Sequence, residues 1–402
     1  MIPLDKAFEI IDNAVTALSP KQIPIGDAVG CVAAENVVAS INVPDFPCSS
    51  MDGYAVRYAD LKGKGPWRMP VQAIAAAGEY DTRTLAPGQA IKIMTGAPLV
   101  NGADTIIPIE DVDIESGEAF ISRKPAKGDF VRGAGDDIMA GDRLYRKGDI
   151  FDAISPGILA SIGMTHVHAI PRPELALIST GSEIAEPGGR LKRGQIYDSN
   201  RALLESLLRA DKFGAPSLIK YARDDRDDLG QAIGNCLNAA DMIIATGGVS
   251  AGDYDLIPQT VTSLGGIVLF HKVAIKPGKP VLLGKIGDCW FLGLPGNPVS
   301  AVAGYHLFAR RMISRLMNHP YAPRIYRAIL GCDLAVTGDR YSIIGATLEK
   351  TDQGVIAYPA GRQSSGRLST LKGVDCFIMV NGGERIIGRG TEIAIQRLWS
   401  SE

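Results

Sequence analysis

DMIIATGGVSAGDYDLIPQTVTSLGG, residues 241–266, is the stretch that decides the fold. An apolar run ends at two glycines, a polar loop follows, and a short apolar-periodic segment closes on two more glycines. This reads as a buried strand, a rim loop and a helix. The same unit recurs on both sides of it. Upstream, LALIST (175–180) and SLIKYARD (217–224) read as strands. SNRALLESLLRADKFG (199–214) and DRDDLGQAIGNCLNAA (225–240) read as helices, the first with Asp198, Ser199 or Asn200 as candidate N-cap. Downstream, IVLFHKVAI (267–275), VLLG (281–284) and WFLGL (290–294) read as strands. NPVSAVAGYHLFARRMISRL (297–316) reads as one long helix opening at a proline. Strand–helix alternation of this kind predicts a doubly wound, mostly parallel sheet with helices on both faces.

The pattern changes outside this region. Residues 4–18 carry Leu4, Phe8, Ile11, Val15 and Leu18 at helical spacing. From about 53 to 136 the chain is β-like, with short apolar runs between Gly and Pro. After 321 it is β-like again. The expected class is therefore an α/β multidomain chain around a central, mostly parallel sheet. Residues 1–44 with 137–170 form a mixed α/β N-terminal domain, 45–136 an inserted β-rich lobe, 171–320 the central domain and 321–402 a small C-terminal β domain.

Composition bounds the function. With 402 residues, 46% hydrophobic and 21% charged, the chain is globular and of several domains. A net charge of −2 supplies no general drive toward nucleic acid or a membrane surface. The cysteines at 31, 48, 236, 289, 332 and 376 form no C-x-x-C pair, which reads as free thiols in a reducing compartment. The N-terminus lacks the pattern of a signal peptide and no apolar run is long enough to span a bilayer, so the expected location is the cytoplasm. His166 and His168 alternate along a strand-like run and read as strand surface.

In open α/β sheets ligands bind beyond the carboxyl ends of the strands. Five loops follow the proposed strands: Gly181-Ser182-Glu183, Arg223-Asp224-Asp225, Gly247 to Asp255, Lys276 to Lys279, and Pro295 to Pro298. Glycines let backbone N–H groups approach an anion. The acids Glu183, Asp224 and Asp255 would repel a bare phosphate, and make sense with a divalent cation such as Mg²⁺ between them and it. Asp224 and Asp225 are adjacent, and either can face the site. Neither G-x-x-x-x-G-K-[ST] nor a G-x-G-x-x-G after the first strand is present, which argues against a P-loop NTPase or a Rossmann dehydrogenase.

The chain resembles the molybdopterin molybdenumtransferases, the molybdenum insertases that include bacterial MoeA and the gephyrin E domain. The matching segments are SSMDGYAVR (49–57), IMTGAPLVNGADTIIPIED (93–111), GDDIMAGD (135–142), LISTGSEI (177–184), GQIYDSNR (194–201), TGGVSAGDYD (246–255), IKPGKPVLLG (275–284) and FLGLPGNPVSA (291–301). The resemblance implies that the central domain is of the molybdopterin-binding type. It implies insertion of molybdate into the dithiolene of adenylylated molybdopterin, with Mg²⁺-dependent hydrolysis releasing AMP. It implies a homodimer whose active site is shared between subunits, with transient contacts to the adenylyltransferase and to cofactor acceptors. By motif, Asp52, Glu183, Asp224 and Asp255 are the implied catalytic residues, the last three as metal ligands. Thr95, Asp137, Gly247, Gly248, Ser250, Lys276, Lys279, Pro295, Pro298, Ser300 and Arg367 are the implied substrate and oxyanion contacts. The loop before Asp52 departs from the pattern: Pro47 stands where the family has an acid or amide, and Cys48 is unusual. A non-catalytic molybdopterin carrier and a molybdopterin adenylyltransferase are the alternatives. AMP release and ATP consumption, respectively, separate them from the insertase. Molybdate and tungstate are too alike in size and charge for the sequence to choose between them.

Overall fold

In the computed structural model, the described residues are 1–79, 83–249, 256–321, 323, 325–352, 354–361 and 364–398. They form two compact units. One holds residues 1–21, 30–32 and 169–402; the other holds 22–29 and 33–168.

The first unit is built on the strand–helix alternation. Its strands are β1 (Leu175–Thr180), β2 (Leu218–Ala222), β3 (Met242–Thr246), β4 (Ile267–His271), β5 (Leu282–Ile286) and β6 (Cys289–Leu294). Their order is β2-β1-β3-β6-β5-β4. The first four run parallel, β5 is antiparallel to β6, and β4 is antiparallel to β5. Every residue of β1, β3 and β6 is buried, as expected for strands covered on both faces. Ile178, Ile243 and Phe291 share one core with Leu229 and Ile233 of the helix Arg226–Leu237 and Val261 of the helix Leu256–Ser263.

The register decides where the loops go. Thr180 lies beside Ala222, Ser179 beside Thr246, and Thr246 beside Leu294. The carboxyl ends of four parallel strands therefore line one rim. Two reversals of direction bring the end of β4 to the same rim, where His271 pairs with Leu282. The run read as IVLFHKVAI stops at His271 because Lys272 turns the backbone to φ +74°. Its last residue, Ile275, and Lys276 after it instead pair in parallel with Tyr341 and Ser342 of the C-terminal sheet.

The expected long helix is interrupted. Pro298–Gly304 and Arg310–Leu316 are α-helical, and Tyr305–Ala309 between them is π-helical. A π turn brings residues five apart onto one face. Tyr305 Oη donates to Asp211 at 2.8 Å, and Arg310 Nε lies 3.0 Å from the same carboxylate. The N-terminal helix, Leu4–Ala14, buries Leu4, Ala7 and Ile11. It docks on the end of this long helix, with the Arg311 guanidinium 4.5 Å above the Phe8 ring and paired to Asp12. The C-terminal residues add a six-stranded sheet around Ala328, Ala346, Ile378 and Ile395.

The second unit carries its own six-stranded sheet, formed by strands within 53–121. Tyr54 and Val56 sit in one core and Ala55 in another, so the strand Gly53–Val56 feeds both faces by simple alternation. Among the described residues no helix is long and apolar enough to cross a membrane. None of the six cysteines is in a disulfide; Cys332 is exposed and the other five are buried. Cys48 is a buried position paired with Arg132 in a short antiparallel ladder.

Candidate functional site

Two adjoining cavities open at the rim of the central sheet. The first, of about 580 Å³, lies over the ends of β1, β2, β3 and β6. Glu183, Asp198 and Asp224 are in its wall, and no Lys, Arg or His is among its described lining residues. The second, of about 660 Å³, lies between the rim and the C-terminal sheet. Lys276, Lys279 and Arg340 are in its wall with the hydroxyls of Ser300, Thr337 and Ser364, and no acidic residue is among its described lining residues. Pro280, Pro295 and Asn297 belong to both walls. The rim thus separates charge: acceptors on one side, cations and hydroxyls on the other.

Each wall residue is held by local chemistry. Gly247 has φ +89° and Gly248 φ +61°, which lets the chain turn sharply off β3. The Gly247 N–H donates to Leu294 O at 3.1 Å, tying this turn to the end of β6. Asp224 and Ser182 hold each other: Asp224 Oδ2 accepts from the Ser182 N–H, and the Asp224 N–H donates to Ser182 Oγ, both at 3.2 Å. Asp225 is used otherwise. Its Oδ1 accepts from the N–H groups of Asp227 and Asp228 at 3.0 Å, capping the helix Arg226–Leu237. Asp224 is therefore the member of the pair in the cavity wall. Likewise Asp198, not Ser199 or Asn200, caps the helix Ser199–Ala210, accepting from the Arg201 N–H at 3.0 Å.

Tyr221 reports on this corner. Its hydroxyl donates to Gly181 O at 2.7 Å. Burial pushes its pKa up, Arg223 opposes, and the negative charges of Asp224 and Glu183 add to the rise.

Lys276 Nζ donates to Thr337 Oγ1 at 3.2 Å, so the lysine loop and the C-terminal sheet share the second cavity. Ser300 is buried in the first turn of the helix that begins at Pro298. Arg367 is exposed and outside both walls; its neighbours Gly366 and Leu368 line the acidic cavity. Ser250 and Asp255 lie outside the described residues. Sequence reasoning did not single out Arg340 or Ser364, and it read Asn200 only as a candidate helix cap and Asn297 only as part of the loop from Pro295 to Pro298. Asn200 sits inside the quoted GQIYDSNR segment, whereas Arg340 carries no local signal at all.

Among the described residues no group of three or more His, Cys, Asp or Glu side chains is arranged to hold a metal. Glu183 and Asp224 nevertheless offer hard oxygen donors in a wall with no basic counterion among its described residues. That donor set fits Mg²⁺, which keeps much of its water and takes one or two carboxylates.

In the second unit, Asp52 Oδ1 accepts from the Thr95 N–H at 2.7 Å and from Thr95 Oγ1 at 3.0 Å. These two bonds hold the Asp52 carboxyl below its ordinary pKa, the backbone bond contributing most. The sign follows: the charged form is favoured in the fold, so the bond's contribution is present above pH 3.8 and fades as pH falls through the lowered pKa. Thr95→Val removes the side-chain bond and should move the Asp52 titration upward in a carboxyl-resolved NMR experiment. A titration midpoint that stays put would contradict this pairing. Asp137 is exposed, with its N–H donating to Val43 O at 3.0 Å.

Family comparisons follow the same organisation. Residues 2–163 match the MoeA N-terminal region (domain I and II), 176–315 a probable molybdopterin binding domain, and 327–398 the MoeA C-terminal region (domain IV). The chain belongs to the MoeA family. It is 33% identical over 395 residues to molybdopterin molybdenumtransferase 2 of Mycobacterium tuberculosis, spanning 96% of this chain and 97% of that one. It is 30% identical over 400 residues to the molybdopterin molybdenumtransferase of Staphylococcus aureus, spanning 98% and 95%. The structure of a molybdopterin biosynthesis MoeA protein from Pyrococcus horikoshii superposes with a TM-score of 0.78 at 31% identity, covering all of both chains. The first two matched regions contain all the segments quoted from the sequence, from MDGYA to LPGNP.

Proposed function

We propose that this MoeA-family chain is a molybdopterin molybdenumtransferase: it inserts molybdate into the dithiolene of adenylylated molybdopterin and releases AMP. The observation that carries this reading is the charge separation at one rim. Such a substrate needs an anion held beside a hydrolysable diphosphate, and the two adjoining cavities divide those tasks.

The basic cavity suits the oxyanion. Lys276, Lys279 and Arg340 supply charge, and Ser300 and Thr337 supply directional donors. Glu183 and Asp224 would hold Mg²⁺ in the acidic cavity, and the resemblance of TGGVSAGDYD adds Asp255, outside the described residues, to that set. When bound, the ion supplies charge neutralisation for the diphosphate next to those carboxylates. The turn at Gly247 and Gly248 brings backbone close to the cavity without a side chain in the way. Hydrolysis makes a bond from water to phosphorus and breaks the diphosphate bridge, with AMP as one product.

The reading extends to a cytoplasmic homodimer. Asp52, pre-set by Thr95, and Asp137 are exposed, and in a shared site they would serve the rim of the other subunit.

The test is direct. Purified protein given adenylylated molybdopterin, molybdate and Mg²⁺ should release AMP and yield molybdenum-loaded cofactor. Absence of AMP under those conditions defeats the enzyme reading and leaves a carrier. ATP consumption with free molybdopterin would instead indicate an adenylyltransferase.

A further inference from the structure

Two residues in the wall of the acidic cavity each carry a buried polar atom that has no partner among the described residues. Asn200 is 7% exposed and Thr246 is 2% exposed, and both are in the cavity wall. Asn200 Nδ2 donates to Gly296 O at 2.7 Å, which fixes the amide orientation and leaves Oδ1 unpaired. Thr246 accepts at its backbone carbonyl from Thr180 Oγ1 at 3.1 Å, while its own Oγ1 is unpaired. These atoms belong to one corner of the rim. Thr246 pairs with Leu294 across the sheet, and Gly296 packs against the Gly247 backbone closely enough that an added Cβ would lie 3.5 Å from Gly247 Cα.

Leaving buried acceptors unpaired is costly, and natural structures rarely do so without a reason. The chemistry of the corner defines what would satisfy it. The Asn200 carbonyl only accepts, and Glu183 and Asp224 in the same wall only accept when ionised. A bare anionic group would be repelled there, so a phosphate needs a cation between it and these carboxylates. Pro280, Pro295, Pro298 and Ile184 give the cavity apolar walls against which a planar ring can lie.

We propose that Asn200 Oδ1 and Thr246 Oγ1 form an accepting edge that reads the N–H groups of an amino-substituted fused nitrogen heterocycle. This rests on the proposed reaction, whose substrate carries two such rings, a pterin and an adenine. The edge is a specificity determinant: it places the ring, and through it the diphosphate, at the acidic cavity.

The test uses the full-length protein and two probe pairs in titration calorimetry. One pair is AMP and purine riboside 5′-monophosphate, which lacks the exocyclic amine. The other is pterin and lumazine, in which a carbonyl replaces that amine. Wild type should favour the amine-bearing member of one pair by about tenfold, which corresponds to ~1.4 kcal/mol. Thr246→Val is nearly isosteric and removes only the unpaired hydroxyl. It should erase most of that preference while its melting temperature stays at or above that of wild type. A response confined to the AMP pair assigns the edge to adenine; one confined to the pterin pair assigns it to the pterin. The proposal is overturned if wild type shows no preference within either pair or binds neither probe in the millimolar range. It is also overturned if Thr246→Val keeps the full preference, or if its loss appears only with Mg²⁺ and equally for both members of a pair. That last result would give the two atoms to metal-bound water. A protein that shows the expected preference but releases no AMP would lose the proposed reaction and keep the subsite.

Discussion

Asp224→Asn should slow AMP release from adenylylated molybdopterin by about 10²–10³-fold, with folding intact. Asparagine keeps an oxygen that can accept from the Ser182 N–H, so the turn after β2 retains its tie to the turn after β1. The substitution removes a full negative charge from a wall that holds no described basic residue. The control is one position away. Asp225→Asn leaves a side chain that caps a helix as well as aspartate does, so its turnover should match wild type. Steady-state rates at saturating Mg²⁺ for both variants decide the matter. Equal losses at the two positions, or none at Asp224, would show that the carboxylate has been assigned to the wrong role.

Gly247→Ala should be the most damaging small substitution at the rim. The residue has φ +89°, and an added Cβ would lie 2.4 Å from Thr180 O and 2.6 Å from Thr180 Oγ1. The left-handed backbone alone costs about 1–2 kcal/mol, and overpacking against a strand adds about 1–3 kcal/mol. Together these should lower the melting temperature by roughly 5–15 °C at ~2–4 °C per kcal/mol, and AMP release should fall with them. Gly338 separates the two causes: its φ is +79°, but nothing lies within 4 Å of an added Cβ. Gly338→Ala should show the backbone part alone. A Gly247→Ala protein as stable as Gly338→Ala would mean that the strand end yields freely.

Much of this site could be read before any coordinates. Runs such as LALIST and MIIAT are apolar throughout because helices cover both faces of their sheet, and glycine follows each at the point where the chain must turn. That is why five rim loops were visible as a set. What stayed hidden involved a choice between near-equal neighbours or a partner far along the chain. Asp224 and Asp225 differ only in which one the next helix recruits as its cap. The strand after Gly266 looked longer than it is because Ile275 and Lys276 are extended for a different sheet, paired with residues 341 and 342. Arg340 enters the basic cavity through that same pairing, and nothing in its own segment marks it. The π turn at Tyr305–Ala309 leaves no trace in the apolar period, since it answers to Asp211.

The two-residue pairing of Ile275 and Lys276 with Tyr341 and Ser342 makes the lysine loop a hinge of inheritance between two modules. Half of the basic cavity's wall comes from the C-terminal sheet and half from the rim of the central one. On the proposed assignment, substitutions at Arg340 and Thr337 should therefore retune which tetrahedral ion is preferred and leave the acidic wall of Glu183 and Asp224 unchanged.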